Sequence, residues 1–408
     1  MINLRDIKEA YELIKDQLVR TPLKETRHFS KMVGSPLYLK MENLQHTGSF
    51  KIRGATNRIM KLSKQEQVRG VVAASAGNHA QGVASIAHRM EIKATIFMPE
   101  PTPYVKVIAT KGFGARVVLQ GSNYDEAYHG AKKFCEEEKC IFVHPYEDDD
   151  IIAGQGTIAL ELIEDLQGFD RVLVPIGGGG LISGIVIALK ELSPKTQVIG
   201  VQTQACPSMY EMFKREEIST SLYTRNDADN PKGSIAEGIT VKKVSPKNLE
   251  IIQKYVDDIV LVSEEEIAQA ILLLMERSKT VVEGAGAASM AAALKGYVKG
   301  KTVVVLSGGN IDVTMISKII ERGLAHEGRL LRVSVKLPDK PGSLHALTEV
   351  LFKVSANILQ IEHDRLAKGL AFGETDVILA LETKGQEHIE QILAALKNKE
   401  YHSVILTG

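Results

Sequence analysis

The sequence predicts an α/β fold with two lobes built on parallel sheets, followed by a smaller ferredoxin-like domain. Along residues 1–328, short β-rich runs alternate with helical stretches, a pattern typical of parallel sheets covered by helices on both faces. From residue 329 onward the order changes to βαββαβ, the ferredoxin-like arrangement. Because the first part is too long for one sheet, we expect two lobes, the smaller at about 48–145 and inserted in the larger.

Hydrophobic period and turn residues predict the elements of the first part. An amphipathic helix opens the chain at 1–18. Strands are predicted at 71–75, 94–98, 116–119, 171–176, 197–202 and 302–306, and helices at 78–90, 124–138, 181–189 and 264–278. Residues 172–189 carry no charge, but Pro175 and four consecutive glycines would break a membrane helix, so a strand, a loop and a helix are predicted. The polar stretch 223–233 is predicted to be an exposed connection.

Residues 329–408 have the size of a small separate domain. The turn at 339–344 leads into a helix that reaches about Ser355, and a second helix is predicted at 386–397. The strands around them are predicted at 331–337, 358–365, 374–382 and near 403–406.

Composition limits the function classes. The chain has 50 basic and 50 acidic residues and no basic block, so nothing favours nucleic acid or an anionic membrane as a partner. The cysteines, Cys135, Cys140 and Cys206, are odd in number and fit no zinc spacing, so reduced thiols and no metal site are expected. The N-terminus has no apolar stretch of signal-peptide type, and we expect a cytoplasmic protein.

Two segments near predicted strands carry candidate chemistry. Lys51, in TGSFKIRG, lies between an aromatic and small residues that can keep its amine from water, lower its pKa and make it nucleophilic, although most lysines are surface charges. SAGNHAQG begins at Ser75 and opens a helix, whose free N–H groups suit a carboxylate. Asn78 and His79 could add donors there, and a plain capped turn is the alternative.

Two further segments follow buried strands. In PIGGGGLISG, residues 177–180 are all glycine, which lets backbone amides surround an anion. The spacing fits neither a Walker loop nor a dinucleotide fingerprint, and a tight turn accounts for only one or two of the glycines. In LSGGN, the Ser307 hydroxyl could contact a ligand heteroatom, although this segment is also ordinary turn chemistry.

Taken together, SFKIRGA, SAGNHAQG, PIGGGGLISG and LSGGN resemble the serine/threonine dehydratase family of fold-type II pyridoxal-phosphate enzymes, in the same order and from about Arg20 to Arg322. The resemblance implies that residues 1–328 form a catalytic domain that uses pyridoxal 5′-phosphate. It also implies dehydration and deamination of threonine to 2-oxobutanoate and ammonia, with serine as a second substrate, in a homodimer or homotetramer.

The resemblance assigns roles to individual residues. Lys51 bonds to the cofactor and removes the Cα proton, and Phe50 packs beside it. Ser307 meets the pyridine nitrogen, and its neutral hydroxyl favours prompt elimination over transamination. Asn78 contacts the phenolic oxygen of the cofactor, and Gly238 lies over the cofactor ring or against the substrate. The cofactor phosphate is bound by Gly177, Gly178, Gly179, Gly180 and Leu181. The substrate carboxylate is held by Ser75, Asn78 and His79, and Ser75 is also catalytic.

Some positions depart from relatives on this scaffold. Serine racemases place a second serine at the position of Ala76 as an acid, and alanine has no proton to give, which disfavours racemisation. Relatives that bind a divalent cation place carboxylates where this chain has Gln202, Cys206 and Ser208. A serine-directed dehydratase, a serine racemase and a non-catalytic amino-acid sensor are the alternatives considered.

Residues 329–408 resemble an ACT domain, a class that often binds amino acids. The strand-to-helix turn carries the match, and Asp339, Gly342, Ser343 and Leu344 are expected to hold the carboxylate of an effector. A domain kept only for oligomerisation is the alternative. Isoleucine or valine suits a biosynthetic enzyme, whereas catabolic relatives respond to nucleotides or to nothing.

Overall fold

The computed structural model describes residues 2–215, 234–367 and 369–406, and it divides into two compact units between Ile311 and Asp312. The predicted connection at 223–233 lies outside the described residues. The second unit includes a helix that precedes the expected boundary at 328/329, and that boundary stays a prediction.

The strands are numbered in chain order. They are β1 (Leu23–Glu25), β2 (Leu37–Met41), β3 (Val71–Ala74), β4 (Ala94–Met98), β5 (Arg116–Leu119), β6 (Ile141–Phe142), β7 (Arg171–Pro175), β8 (Gln197–Thr203), β9 (Asp258–Val262), β10 (Thr302–Leu306), β11 (Leu330–Pro338), β12 (Asn357–Asp364), β13 (Glu374–Glu382) and β14 (Ser403–Ile405).

The α-helices are numbered in the same way. They are α1 (Leu4–Ile14), α2 (Arg27–Val33), α3 (Lys51–Met60), α4 (Lys64–Arg69), α5 (Asn78–Arg89), α6 (Tyr104–Gly112), α7 (Tyr124–Glu138), α8 (Asp149–Asp165), α9 (Gly180–Leu192), α10 (Ser208–Phe213), α11 (Pro246–Tyr255), α12 (Glu264–Leu273), α13 (Gly284–Leu294), α14 (Val313–His326), α15 (Ser343–Lys353) and α16 (Gln386–Asn398).

The larger lobe of the first unit contains a six-stranded sheet in the order β1-β2-β10-β7-β8-β9. All neighbours are parallel except β1 and β2. Every residue of β10 is buried, and so are four of the five in β7, which is the near-continuous apolar run that a sheet covered on both faces requires. Helices α8, α9 and α13 supply much of that cover, because most of their side chains are buried too.

The smaller lobe contains a parallel sheet in the order β5-β4-β3-β6. All four residues of β3 are buried, and the core around them includes side chains from α3 and α5. The predicted α/β architecture of this unit is confirmed. The carboxyl ends of β3, β7 and β10 lead directly into three of the four segments singled out in the sequence, so the topology of the sheets determines where those segments lie.

The second unit has the predicted element order βαββαβ, from β11 to β14, preceded by α14. Its sheet is antiparallel in the order β12-β13-β11-β14. Alternate residues of β11 and β13 are buried in a core that α15 and α16 complete, as expected for a sheet with one covered face.

Several predicted boundaries agree with the structure to the residue, including those of β4, β5, β10 and α7. The helix predicted at 264–278 is α-helical only to Leu273, and a π-helical turn, Leu274–Ser278, follows it. Strands β1, β2, β6 and β9 were not predicted. β1 and β6 are only three and two residues long, and Lys40 interrupts the apolar run of β2, whereas nothing in the structure explains why β9 was overlooked. None of the helices in the described ranges is long and apolar enough to cross a membrane.

Candidate active site

Lys51 is the first residue of α3, and its amine lies against the chain segment before α8. The Nζ atom donates a hydrogen bond to the Pro145 carbonyl oxygen at 2.9 Å and lies 5.3 Å from the centre of the Phe50 ring. Burial lowers the pKa of Lys51 from 10.5 to about 8, although the Glu283 carboxylate acts in the opposite direction. A substantial share of this amine is therefore neutral, and hence nucleophilic, near neutral pH.

The segment before α3 lies against the end of β10. The Phe50 amide donates to the Ser307 carbonyl oxygen at 3.0 Å, and Ser49 forms an isolated bridge with Gly308. Ser307 is only 2% exposed. These backbone contacts place the Lys51 amine and the Ser307 hydroxyl in the same part of the molecule, although the two residues are far apart in the chain.

SAGNHAQG forms the β3–α5 turn, and no side chain caps the start of α5. The Ser75 hydroxyl accepts a hydrogen bond from the Gly77 amide at 3.2 Å. The His79 ring is turned away from this turn, because its Nε2 atom contacts the Val143 carbonyl oxygen at 2.9 Å. Burial, assisted by the Lys51 charge, lowers the pKa of His79 to about 3, so the ring is neutral. At this helix end, His79 can therefore donate to an anion with its backbone amide and not with its ring.

The Asn78 side chain is held from two sides. Its Nδ2 atom donates to Glu283 Oε1 at 2.7 Å, and its Oδ1 atom accepts from Asn310 Nδ2 at 2.8 Å. Burial raises the pKa of Glu283 to about 7, even though the Asn78 hydrogen bond and the Lys106 charge favour the ionised form. From the sequence, Glu283 is only an acidic residue near a turn and received no role, because its partner Asn78 lies 205 positions away in the chain.

The four-glycine loop joins β7 to α9. Gly179 has a left-handed backbone with φ of +90°, and no side chain caps α9. A Cβ atom on Gly178 would lie 2.4 Å from the Tyr146 ring, and one on Gly180 would lie 2.7 Å from the Tyr146 carbonyl oxygen. Only glycine fits at these positions, and the amides of the loop and of the α9 N-terminus remain available to an anion.

The other predicted residues surround the same loop. Leu181, the second residue of α9, is 5% exposed. Gly238 lies in a 3₁₀ turn, and its carbonyl oxygen would be 2.9 Å from a Cβ atom on Gly177. The adjacent Glu237 carboxylate accepts a hydrogen bond from Lys106 of α6 at 2.5 Å, which links the two lobes beside the glycine loop.

Below Lys51, α3 is anchored by a buried network of charges. Arg53 forms two hydrogen bonds to Glu42, each of 2.8 Å, and two to Glu161, of 2.6 and 2.9 Å. Lys40 also donates to Glu161, at 2.5 Å. Each of these four side chains is at most 4% exposed, and their charges sum to zero. The network therefore ties the helix that begins with Lys51 to β2 and to α8.

Known proteins match the chain along most of its length. The family model described as pyridoxal-phosphate dependent enzyme matches residues 14–309. The chain is 48% identical over 403 residues to a protein of Thermotoga maritima named L-threonine ammonia-lyase, with 98% of each chain covered. It is 45% identical over 331 residues to a protein of Staphylococcus aureus named catabolic L-threonine dehydratase, covering 79% of this chain and 93% of that one.

A solved structure also matches most of the chain. Maize serine racemase matches with a TM-score of 0.72 and 31% identity, over 79% of this chain and 98% of that chain. The resemblance to the serine/threonine dehydratase family that the motifs indicated is thereby confirmed. With a family model that covers residues 14–309 and a relative of 48% identity along nearly the whole length, the chain belongs to the family of pyridoxal-phosphate dependent enzymes.

Proposed function

We propose that this protein dehydrates and deaminates L-threonine to 2-oxobutanoate and ammonia, and L-serine to pyruvate more weakly. The observation that carries the proposal is the enclosed Lys51 amine, whose pKa is lowered to about 8 beside Phe50 and opposite Asn78 and Glu283. Relatives named threonine ammonia-lyase and threonine dehydratase support the choice of threonine.

The residues present fit pyridoxal 5′-phosphate. A phosphate needs several donors without a bulky side chain in the way, and the loop of glycines with an uncapped helix behind it supplies them. Lys51 would bond to the cofactor and Phe50 would pack beside it. Asn78 would contact the phenolic oxygen, Ser307 the ring nitrogen and Gly238 the ring, while Gly177, Gly178, Gly179, Gly180 and Leu181 would hold the phosphate.

When bound, the cofactor withdraws electrons from the Cα atom of the amino acid and so weakens the Cα–H bond. Within the chain, Lys51 Nζ is the base that accepts that proton, because burial lowers its pKa to about 8 and so raises the share of neutral amine above that of an ordinary lysine. The uncapped start of α5, with the Ser75 hydroxyl and the amides of Asn78 and His79, would hold the substrate carboxylate.

Ala76 weighs against racemisation as the main activity. To invert Cα, an acid must deliver a proton to the face opposite Lys51, and Ala76 has none to deliver. The match to maize serine racemase supports a shared scaffold only. Serine should still react as a substrate of elimination, because a pocket that accepts the threonine methyl group discriminates one carbon only modestly.

The proposal is tested by following 2-oxo acid formation from L-threonine and from L-serine by the purified holoenzyme. We expect both to react, with threonine preferred, and no D-serine to accumulate from L-serine. If threonine gives no product while the protein carries the cofactor, a serine-directed activity replaces the proposal. Appearance of D-serine would favour a racemase instead, and a protein that takes up no cofactor would favour a sensor.

We further propose that residues 329–408 are an ACT domain that regulates the enzyme, with Asp339, Gly342, Ser343 and Leu344 near the effector. The relative from Thermotoga maritima is matched along this part of the chain as well, whereas the shorter match to the Staphylococcus aureus protein covers 79% of the chain. The left-handed Gly342 leads into α15 without a side-chain cap, which suits a carboxylate. A homodimer or homotetramer in the cytoplasm completes the proposal.

The Lys51 pKa has a consequence that can be measured before any turnover. Only the neutral amine can attack the aldehyde of the cofactor, so the rate of cofactor capture by the apoprotein should rise with pH and reach half of its maximum near pH 8. Stopped-flow absorbance across pH 6–10 would measure it, with a free alkyl amine as the reference reaction. A half-rise at the same pH as the reference amine would contradict the described burial.

A further inference from the structure

Glu283 stands at the N-cap of α13 but does not cap that helix. Its side chain makes no hydrogen bond to the first turn of α13, where an acidic cap usually binds. Instead, Oε1 accepts from Asn78 Nδ2 at 2.7 Å, across 205 positions of sequence. The start of α13 is therefore left without a side-chain cap, and the carboxylate is directed to the side chain that opens α5.

The opposite end of the Asn78 amide is fixed as well. Asn310 Nδ2 donates to Asn78 Oδ1 at 2.8 Å and to the Thr47 carbonyl oxygen at 2.7 Å, which uses both of its hydrogens, and Gln81 Oε1 lies farther away at 3.3 Å. The backbone supports this arrangement, because the Glu283 amide donates to the Gly308 carbonyl oxygen at 3.0 Å. A Cβ atom on Gly308 would lie 2.2 Å from Glu283 Oε1, so glycine is what leaves room for the carboxylate.

These contacts determine which end of the Asn78 amide is nitrogen. An ionised carboxylate only accepts hydrogen bonds, so it requires Nδ2 on its side, and the Asn310 donor requires Oδ1 on the other. Nδ2 carries two hydrogens, and Glu283 takes one of them. The second hydrogen is then available to an acceptor outside the protein's own contacts, such as a ligand oxygen.

We propose that Glu283 is a positioning residue, which holds Asn78 so that the second Nδ2 hydrogen is directed at the phenolic oxygen of the cofactor. This inference rests on the proposed function, in which Asn78 contacts that oxygen. Without Glu283, only the Asn310 hydrogen bond would hold the amide, which could then turn more easily and present Oδ1 to the phenolic oxygen, and two oxygens would repel each other.

The charges around Glu283 favour the acceptor form above neutral pH. Burial raises its pKa to about 7, while Asn78 from α5, Lys106 from α6 and Lys51 from α3 stabilise the ionised form, and Glu237 opposes it. Measurements at pH 8 therefore examine a carboxylate that accepts hydrogen bonds and does not donate them.

The test is a double-mutant cycle that combines substitutions of Glu283 and Asn78. For each variant, the dissociation constant of pyridoxal phosphate at pH 8 and the absorption spectrum of the bound cofactor are measured. We expect Glu283→Ala to weaken binding about tenfold, as loss of a charged hydrogen-bond partner does. We expect Glu283→Gln, whose Oε1 can still accept, to weaken it about threefold or less. In an Asn78→Ala background, Glu283→Ala should add almost nothing, because it acts through Asn78.

Glu237→Ala is the matched control, because it removes a neighbouring carboxylate that has no hydrogen bond to Asn78. Its dissociation constant should stay within about twofold of wild type. Additive losses in the cycle, or unchanged binding and spectrum in a folded Glu283→Ala variant, would overturn the proposal. If the Glu283→Ala variant does not fold, the Glu283→Gln variant takes its place. A loss of pyridoxal phosphate affinity in Glu283→Gln as large as the loss in Asn78→Ala would also overturn the proposal. Wild-type protein that takes up no cofactor would refute the proposed function itself, which separates the two failures.

Discussion

Replacement of Lys51 by alanine is expected to lower kcat for threonine by about a thousandfold or more, because one side chain supplies both the bond to the cofactor and the base for the Cα proton. The amine that is lost is the one held at 2.9 Å from the Pro145 carbonyl oxygen, and no second lysine lies there among the described hydrogen bonds. Initial rates of 2-oxo acid formation, with the cofactor in excess, measure the effect.

Two further variants separate chemistry from charge and from folding. Lys51→Arg keeps the positive charge but offers no neutral amine, because a guanidinium stays protonated, so its activity should be as low as that of the alanine variant. Lys61→Ala removes a lysine at the other end of α3, where it pairs with Asp150 at 2.7 Å near the surface, and should retain kcat within about twofold. Activity of Lys51→Ala within tenfold of wild type would refute the role assigned to Lys51.

Replacement of Arg53 by methionine is expected to destabilise the protein by about 3–5 kcal/mol, since it removes the buried cation that pairs with Glu42 and leaves Lys40 as the buried partner of Glu161. Burial alone would lower the pKa of Arg53, but the two carboxylates more than compensate and keep it charged. The same contacts, together with Lys40, hold the pKa of Glu161 below its ordinary value against the effect of burial. The midpoint of urea unfolding, followed by circular dichroism, measures the change.

Arg53→Lys should lie between wild type and methionine, because an ammonium cannot form the paired hydrogen bonds to both carboxylates. The control is Arg5→Met, whose partner Glu9 lies on the exposed face of α1, and its urea midpoint should stay close to that of wild type. A loss for Arg53→Met no larger than this control would show that the charge network contributes little to stability. Reduced cofactor affinity in Arg53→Lys, with folding intact, would show that the network also positions Lys51.

Much of the fold could be predicted because the strands that line the site are buried on both faces. Runs such as the one at β10 must then be apolar throughout, and their short length, β-branched residues and flanking turn residues reveal them. The charged network escaped prediction for the opposite reason. Lys40 lies in the buried strand β2 and Glu42 directly follows it. Their charged side chains make this part of the sequence resemble an exposed segment. Only their partners on α3 and α8 explain how such residues can be inside.

The sequence by itself determined the α/β class, the order of the elements and the four segments that meet at the site, because hydrophobic period, glycine and turn residues report local preference directly. It also determined that Lys51 is the candidate nucleophile. It could not determine which glycines serve a ligand and which serve packing. A Cβ atom on Gly54 would lie 2.7 Å from the Ile151 carbonyl oxygen of α8, and one on Gly184 would lie 2.3 Å from that of Ile152.

The tertiary structure also decided where the polar side chains of the site point. The His79 ring contacts the Val143 carbonyl oxygen and the Asn78 side chain contacts Glu283, although the two residues are neighbours in the sequence. The physical reason is distance along the chain. A hydrogen bond between residues 205 positions apart depends on how the two lobes pack, and no local pattern of composition or spacing encodes that packing.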